Sequence, residues 1–213
     1  MTDNVSISEN TIPVSVGLKL QAGTLPGITN LRTGTFRKGE VICREGSSGQ
    51  TVFFLHTGKV KLLRKDKSGK NFLLGLLGPG DTIGLQAVLH GEAYTSTAIA
   101  IEAVNVSFID AETFLQWLAQ RPDRRHQILQ LLCIELERVE NRMYAMTRSS
   151  ASARLAEILL MLDKTYGVAP GGGLSIRLKP REYADLINVA RGTIYLLLRQ
   201  FADTGLIALD GLN

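Results

Sequence analysis

The residues best suited to recognition chemistry lie near the C-terminus. Two short helical patterns, Pro180–Ile187 and Arg191–Thr204, flank the three residues Asn188-Val189-Ala190, which is the helix-turn-helix spacing. Apolar positions run along both: Tyr183, Ala184, Leu186 and Ile187, then Val189 in the connector, then Ile194, Leu197, Leu198 and Phe201. Ala184 is small where two helices must approach closely. Arg191, Gly192, Thr193, Tyr195, Leu196 and Arg199 are left to face outward on the second helix. A guanidinium such as that of Arg191 can bond guanine O6 and N7 together, and the first residues of such a helix are those that reach base edges in the major groove. Thr193 suits a phosphate or a base, and Lys179, Arg181 and Arg199 suit phosphates. By itself the pattern also fits a plain helical hairpin.

Other elements must hold that pair of helices. From Leu31 to Asp110 short β-rich runs alternate with glycine punctuation, a texture that argues for a β-sandwich or barrel. The expected strands are Glu40–Cys43, Thr51–His56, Lys59–Lys65, Asn71–Leu77, Ser96–Ala100 and Asn105–Asp110. Lys67–Lys70 is read as a hairpin turn, and Gly78-Pro79-Gly80-Asp81 as a tight turn in which Pro presets φ and Gly accepts positive φ. After Asp110 the period changes. Ala111–Gln120 reads as a short amphipathic helix, and Asp123–Thr147 as a long one with Pro122 in its first turn. Leu129, Leu132, Leu136, Val139, Met143 and Met146 are spaced 3, 4, 3, 4, 3. That is the heptad seam of a two-stranded coiled coil and predicts a homodimer, although a helix packed on its own domain would also explain it. Ser149–Ser152 interrupts the seam and can cap a further helix, Ala153–Lys164. A Gly/Pro loop spans Gly167–Gly173, and Leu174–Leu178 reads as a short strand. The domain division is 1–30, an irregular N-terminal arm; 31–120, a β domain; 121–148, a dimerisation helix; and 149–213, the helix-turn-helix domain.

Composition removes other classes. The chain has 213 residues, 45% hydrophobic and 21% charged, with a net charge of +4, so it has material for a core and is not a disordered or fibrous chain. No apolar run approaches the ~20 residues that span a bilayer, and the first residues lack the pattern of a secretory signal. No membrane association is expected, and a cytoplasmic location follows. The two cysteines, Cys43 and Cys133, are far apart and form no metal or disulfide framework. The three histidines are scattered, and no nucleophile–base or metal-ligand spacing appears; no catalytic residue and no metal ligand is assigned, and the chain does not read as an enzyme. Gly171-Gly172-Gly173 lacks the Lys and Ser/Thr of a phosphate-binding loop.

The order of these parts, a glycine-rich β-roll, a long helix and a C-terminal helix-turn-helix, resembles the CRP/FNR superfamily of bacterial transcription regulators. The resemblance covers Leu31 to Ile207. It rests on Arg37-Lys38-Gly39-Glu40 with Gly46, Thr57-Gly58-Lys59-Val60, Leu77-Gly78-Pro79-Gly80-Asp81, Arg154-Leu155-Ala156 with Leu159-Leu160, Glu182-Tyr183-Ala184-Asp185-Leu186, and Arg191-Gly192-Thr193-Ile194. It implies an α+β chain: an N-terminal β-roll of the jelly-roll, cyclic-nucleotide-binding type, a long dimerisation helix, and a C-terminal winged helix-turn-helix. The implied partners are double-stranded DNA, read by the homodimer as an inverted repeat, a second copy of the chain, and RNA polymerase.

The resemblance also implies an effector pocket, and here the chain departs from the cyclic-AMP-binding members. Those carry Gly-Glu-Leu, whose Glu binds ribose, and then an Arg that pairs with the phosphate. Here the segment runs from Gly84 to Ser96: Leu85 stands in the Glu place, and by ungapped count Thr95 stands in the Arg place. Without those anchors a cyclic phosphate loses its charge-assisted bonds, so tight cyclic AMP binding is not expected. The iron–sulfur members carry N-terminal cysteines that residues 1–30 lack. Haem would need axial ligands, for which the bland roles of the His and Cys residues are the better account. The 2-oxoglutarate-sensing members need a cassette arginine, and none lies between Asp81 and Arg121. A small organic effector is the expectation, with an effector-free pocket as the alternative. Gly84, Leu85, Gln86, Tyr94, Thr95 and Ser96 would line it, with Arg138 or Arg142 as a cation for an acidic effector.

The reading helix departs too. Many members read DNA with Arg-Glu-Thr-Val-x-Arg; this chain has Gly192 in the Glu place and Leu196 in the second Arg place. Tyr195 and Leu196 can instead touch thymine methyls, which predicts an altered half-site. Ala208–Asn213 can begin the family's wing, but the returning strand is absent, so the expectation is either a truncated chain or an incomplete wing. A second reading is an effector-binding or scaffolding protein whose DNA-binding domain has decayed.

Overall fold

The computed structural model describes residue 19 and residues 30–209. Eight strands come first in the order of the chain: β1 (Arg32–Phe36), β2 (Val41–Cys43), β3 (Thr51–Thr57), β4 (Val60–Lys65), β5 (Asn71–Leu77), β6 (Thr82–Ile83), β7 (Thr97–Ala100) and β8 (Val104–Asp110), with the short helix α1 (Leu85–His90) between β6 and β7. Five helices follow: α2 (Ala111–Ala119), α3 (Pro122–Arg148), α4 (Ala151–Tyr166), α5 (Pro180–Ile187) and α6 (Arg191–Asp203). Two compact units divide the chain, and the division falls inside α3, between Glu137 and Arg138.

The first unit is built on two antiparallel four-stranded sheets, β1-β8-β3-β6 and β2-β7-β4-β5. Strand β3 shows how they pack. Its side chains alternate with period two, and both faces are apolar. Phe53 and Leu55 join a cluster with Val60, Leu77, Ala98, Val104 and Val106. Val52 and Phe54 join another with Leu85, Val88, Ile109, Phe114, Trp117, Leu118 and Ile128, where α1, α2 and the start of α3 cover the roll. Gly58 turns the β3–β4 hairpin at φ +87°, and a Cβ there would meet the Ala103 carbonyl at 2.3 Å. Helix α2 starts where Asp110 accepts from the Thr113 N–H at 2.9 Å, an N-cap that satisfies one of the open amides of the first turn.

In the second unit α4 is capped by Ser150, whose hydroxyl accepts from the Ala153 N–H. Leu155, Ile158 and Leu162 are fully buried along one face of α4, and Ile176, Leu186, Ile187 and Ile194 are also buried.

Most predicted elements stand within two residues of their expected bounds, and the exceptions have causes. Leu174–Leu178 is not a strand: its only pairing among the described residues is an isolated bridge between Val168 and Leu174. β1, β6 and α1 were not anticipated. Most of the expected N-terminal arm and the last residues of the expected wing, 210–213, lie outside the described residues; after α6 no strand forms among those that are described.

Candidate nucleic-acid interface and effector cavity

Helix α5 starts at Pro180, whose missing N–H costs nothing in a first turn. Glu182, nearly fully buried, accepts from the Lys179 N–H at 2.8 Å. Beside it, burial pushes the Tyr183 hydroxyl up to about 12, with the Glu182 charge adding to the effect. The helix ends at Asn188, which takes the left-handed conformation at φ 53°. Asn tolerates that region better than most residues, and it reverses the chain within three residues. Ile194, Leu198 and Phe201 then face inward, spaced four and three.

That inward stripe decides what faces out. Arg191, Gly192, Tyr195, Leu196 and Arg199 are all exposed, and Thr193 is half-buried. Residues i, i+4 and i+8 lie on one helix face, so Arg191, Tyr195 and Arg199 form one row with Gly192 and Leu196 beside it. Tyr195 and Leu196 are 52% and 72% exposed, which leaves both side chains open to a partner. Arg199 lies 3.9 Å from Asp203 on the surface, a pairing too weak to hold it from a phosphate. Lys179 and Arg181 are exposed at the start of α5.

In the roll, Gly84, Leu85, Gln86, Tyr94, Thr95 and Ser96 come together around one small cavity of about 60 Å³, with Cys43, Leu62, Thr82, Ile83 and Ala87 completing its wall. None of these side chains is ionised. Tyr94 is nearly buried in that wall. Its hydroxyl donates to the Thr51 carbonyl at 2.8 Å and accepts from the Thr51 N–H at 3.1 Å. Its ring lies so close to Gly84, at φ +83°, that a Cβ there would sit 2.6 Å from Tyr94 Cε1. Burial pushes the Cys43 thiol up to about 11, so it is protonated at neutral pH. A second, more apolar groove adjoins the cavity, lined by Gln86, Ala87, Leu89, His90 and Leu132 among others.

The residues that line this cavity do not include Arg138 or Arg142. Both belong to the other compact unit, where Arg142 donates through Nη2 to the Leu186 carbonyl at 3.3 Å. A charged residue on a long helix reads as solvent-facing or ligand-facing, and nothing in its spacing shows that a backbone carbonyl lies within reach. Arg154, noted only as part of a resemblance, is nearly buried and donates to Ile187 and Ser149.

The seam on α3 is apolar and uncovered. Leu129, Leu136, Val139 and Met143 are 59%, 60%, 44% and 64% exposed, and Met146 is half-buried. Leu132 differs: it is half-buried against the helical layer of its own roll.

Known proteins share this arrangement. A family model described as "Cyclic nucleotide-binding domain" matches residues 33–121, and one described as "Crp-like helix-turn-helix domain" matches residues 153–213. The CRP-like cAMP-activated global transcriptional regulator of Mycobacterium tuberculosis is 31% identical over 178 residues, covering 83% of this chain and 80% of that protein. The Global nitrogen regulator of Synechococcus elongatus is 27% identical over 195 residues, covering 90% and 86%. Among solved structures, FixK2 from Bradyrhizobium japonicum overlays with a TM-score of 0.71 at 22% identity, covering 86% and 90%. The fold and the two domains define a DNA-binding transcription regulator. The chain belongs to the CRP/FNR family.

Proposed function

We propose that this protein binds DNA as a homodimer that reads an inverted repeat, under the control of a small uncharged effector rather than cyclic AMP. The observation that carries the DNA reading is the exposed row Arg191, Tyr195 and Arg199 with Leu196 beside it, on a helix whose opposite face is fully buried. Arg191 reads a guanine, Tyr195 and Leu196 touch thymine methyls, and Lys179, Arg181 and Arg199 hold phosphates. The uncovered seam from Leu129 to Met146 supports the dimer, since a two-fold pair presents two reading helices to successive major grooves. RNA polymerase is the further partner through which such a regulator acts.

The cavity supports the second half of the proposal. Ligand pockets span about 300–1,000 Å³; the cavity itself holds about 60 Å³, and the groove that shares Gln86, Ala87 and Thr95 with it holds about 390 Å³. Its polar groups are the hydroxyls of Thr82, Tyr94, Thr95 and Ser96 and the amide of Gln86, none of which neutralises a phosphate. The M. tuberculosis relative is described as cAMP-activated; the lack of a cationic side chain in the wall of this cavity argues against the same ligand here. A small ligand would act by shifting the population of the DNA-binding state.

Calorimetry with cyclic AMP, together with titration of inverted-repeat duplexes at rising salt, tests both halves. The expected result is no cyclic AMP binding at micromolar concentration and a DNA affinity that falls steeply with salt. Micromolar cyclic AMP binding overturns the effector half. Salt-insensitive binding overturns the DNA half and favours a decayed reader.

A further inference from the structure

Two guanidinium groups converge on the last carbonyls of α5. Arg142, on α3, donates to the Leu186 carbonyl at 3.3 Å. Arg154, near the start of α4, donates through Nε to the Ile187 carbonyl at 3.0 Å and through Nη1 to the Ser149 carbonyl just before α4. Leu186 and Ile187 end α5, so their carbonyls lack partners inside the helix and carry the negative end of its dipole. A planar guanidinium bonds in fixed directions, which a lysine does not.

These bonds lie where rigidity matters for reading DNA. Only Asn188, Val189 and Ala190 separate the clamped carbonyls from Arg191. Asn188 is itself held, its N–H donating to the carbonyls of Ala184 and Asp185. Arg142 lies on the helix that carries the heptad seam, one residue before Met143. The path from seam to reading helix is therefore short: Arg142, the end of α5, a three-residue turn, α6. Arg154 braces the neighbouring Ile187 carbonyl from α4, and Arg142 ties the Leu186 carbonyl to α3.

We propose that Arg142 is a positioning residue that sets the half-site spacing accepted by the dimer, by holding the end of α5 at a fixed angle to the dimerisation helix. The proposal rests on the dimeric DNA-reading function proposed above. The half-sites of a two-fold reader lie about 10–10.5 base pairs apart or at a multiple of that, and a one-base-pair insertion rotates one half-site by roughly 34° about the duplex axis. A rigid link makes the dimer intolerant of that rotation. A loosened link lets the reading helices follow it.

The experiment uses full-length protein and duplexes that carry the selected inverted repeat with its natural spacing, and with spacing one base pair longer and shorter, plus a duplex with a single half-site. Wild-type protein should prefer the natural spacing by at least about tenfold, within the range of one mismatched base pair. Arg142→Met keeps much of the stem and removes the donor. It should bind the single half-site like wild type while its preference among spacings falls to about twofold, and Arg142→Lys should recover part of the preference. If Arg142→Met does not fold, Arg142→Gln, whose amide is too short to reach the carbonyl, carries the same expectation. Unchanged spacing preference in the folded variant overturns the positioning role, as does a uniform loss on every duplex including the single half-site. A wild-type protein that binds none of the duplexes overturns the parent DNA-reading function, and this proposal with it.

Discussion

Truncating Leu136 probes the heptad seam near its middle. Leu136 is 60% exposed in the single chain, so most of its side chain has nothing to pack on until a second copy arrives. Full burial of a leucine contributes about 1.5–3 kcal/mol; the exposed share corresponds to about 1–2 kcal/mol per copy. The two-fold axis repeats the loss, so Leu136→Ala should weaken the dimer by about 2–4 kcal/mol, roughly 30-fold to 1,000-fold in Kd. The remaining β-carbon makes this an upper range. Sedimentation equilibrium over a wide concentration range reads it directly. Leu160 is the control: it is 56% exposed on α4, off the seam, and Leu160→Ala should leave the dimer unchanged. A Leu136→Ala dimer constant within about twofold of wild type, or an equal effect at Leu160, would refute assignment of the seam as the interface.

Further expectations concern the reading helix and a cap. Arg191→Ala should cost about 1–3 kcal/mol in DNA affinity and relax one base position, read by titrating duplexes substituted at each position. Gly192→Ala should stabilise α6 by up to about 1 kcal/mol, because a Cβ there meets nothing within 4 Å; thermal unfolding measures it. Asp110→Ala should cost about 0.5–2 kcal/mol through loss of the α2 cap, and Asp110→Asn should retain most of that. The bonds from Thr113 hold the Asp110 carboxyl below its ordinary range. Its contribution is therefore complete above the unfolded value of about 3.9 and lost as pH falls through the lower folded value. Acid titrations of stability should show a smaller fall below pH 4 in Asp110→Asn than in wild type.

How much of this could be read from residues alone depended on where the determining contacts lay. Helix α5 was legible to the residue, because Pro180, Glu182 and Asn188 mark its start and stop locally. The seam on α3 was legible because heptad spacing survives without knowing the partner. β1, Arg-Thr-Gly-Thr-Phe, was not: it is a mostly exposed edge strand without alternation, defined only by its pairing with β8. Leu174–Leu178 alternates like a strand, yet among the described residues no strand pairs with it beyond one bridge. Six of the eleven residues around the cavity were foreseen, but its volume was not, because close approaches such as that of the Tyr94 ring to Gly84 leave no mark in the spacing. The hydrogen bond of Arg142 was not legible for a related reason: its acceptor is a backbone carbonyl 44 residues away, and a carbonyl leaves no mark in the sequence.

The most direct test of the central claim is selection of bound fragments from a random duplex library, using wild-type protein and Arg191→Ala in parallel with no effector added and again with small-molecule cell extract. An enriched inverted repeat whose half-site holds a guanine in the wild-type pool, with that position degenerate in the Arg191→Ala pool, is the predicted result. Failure to enrich any repeat under either condition, or identical repeats from both proteins, would contradict it.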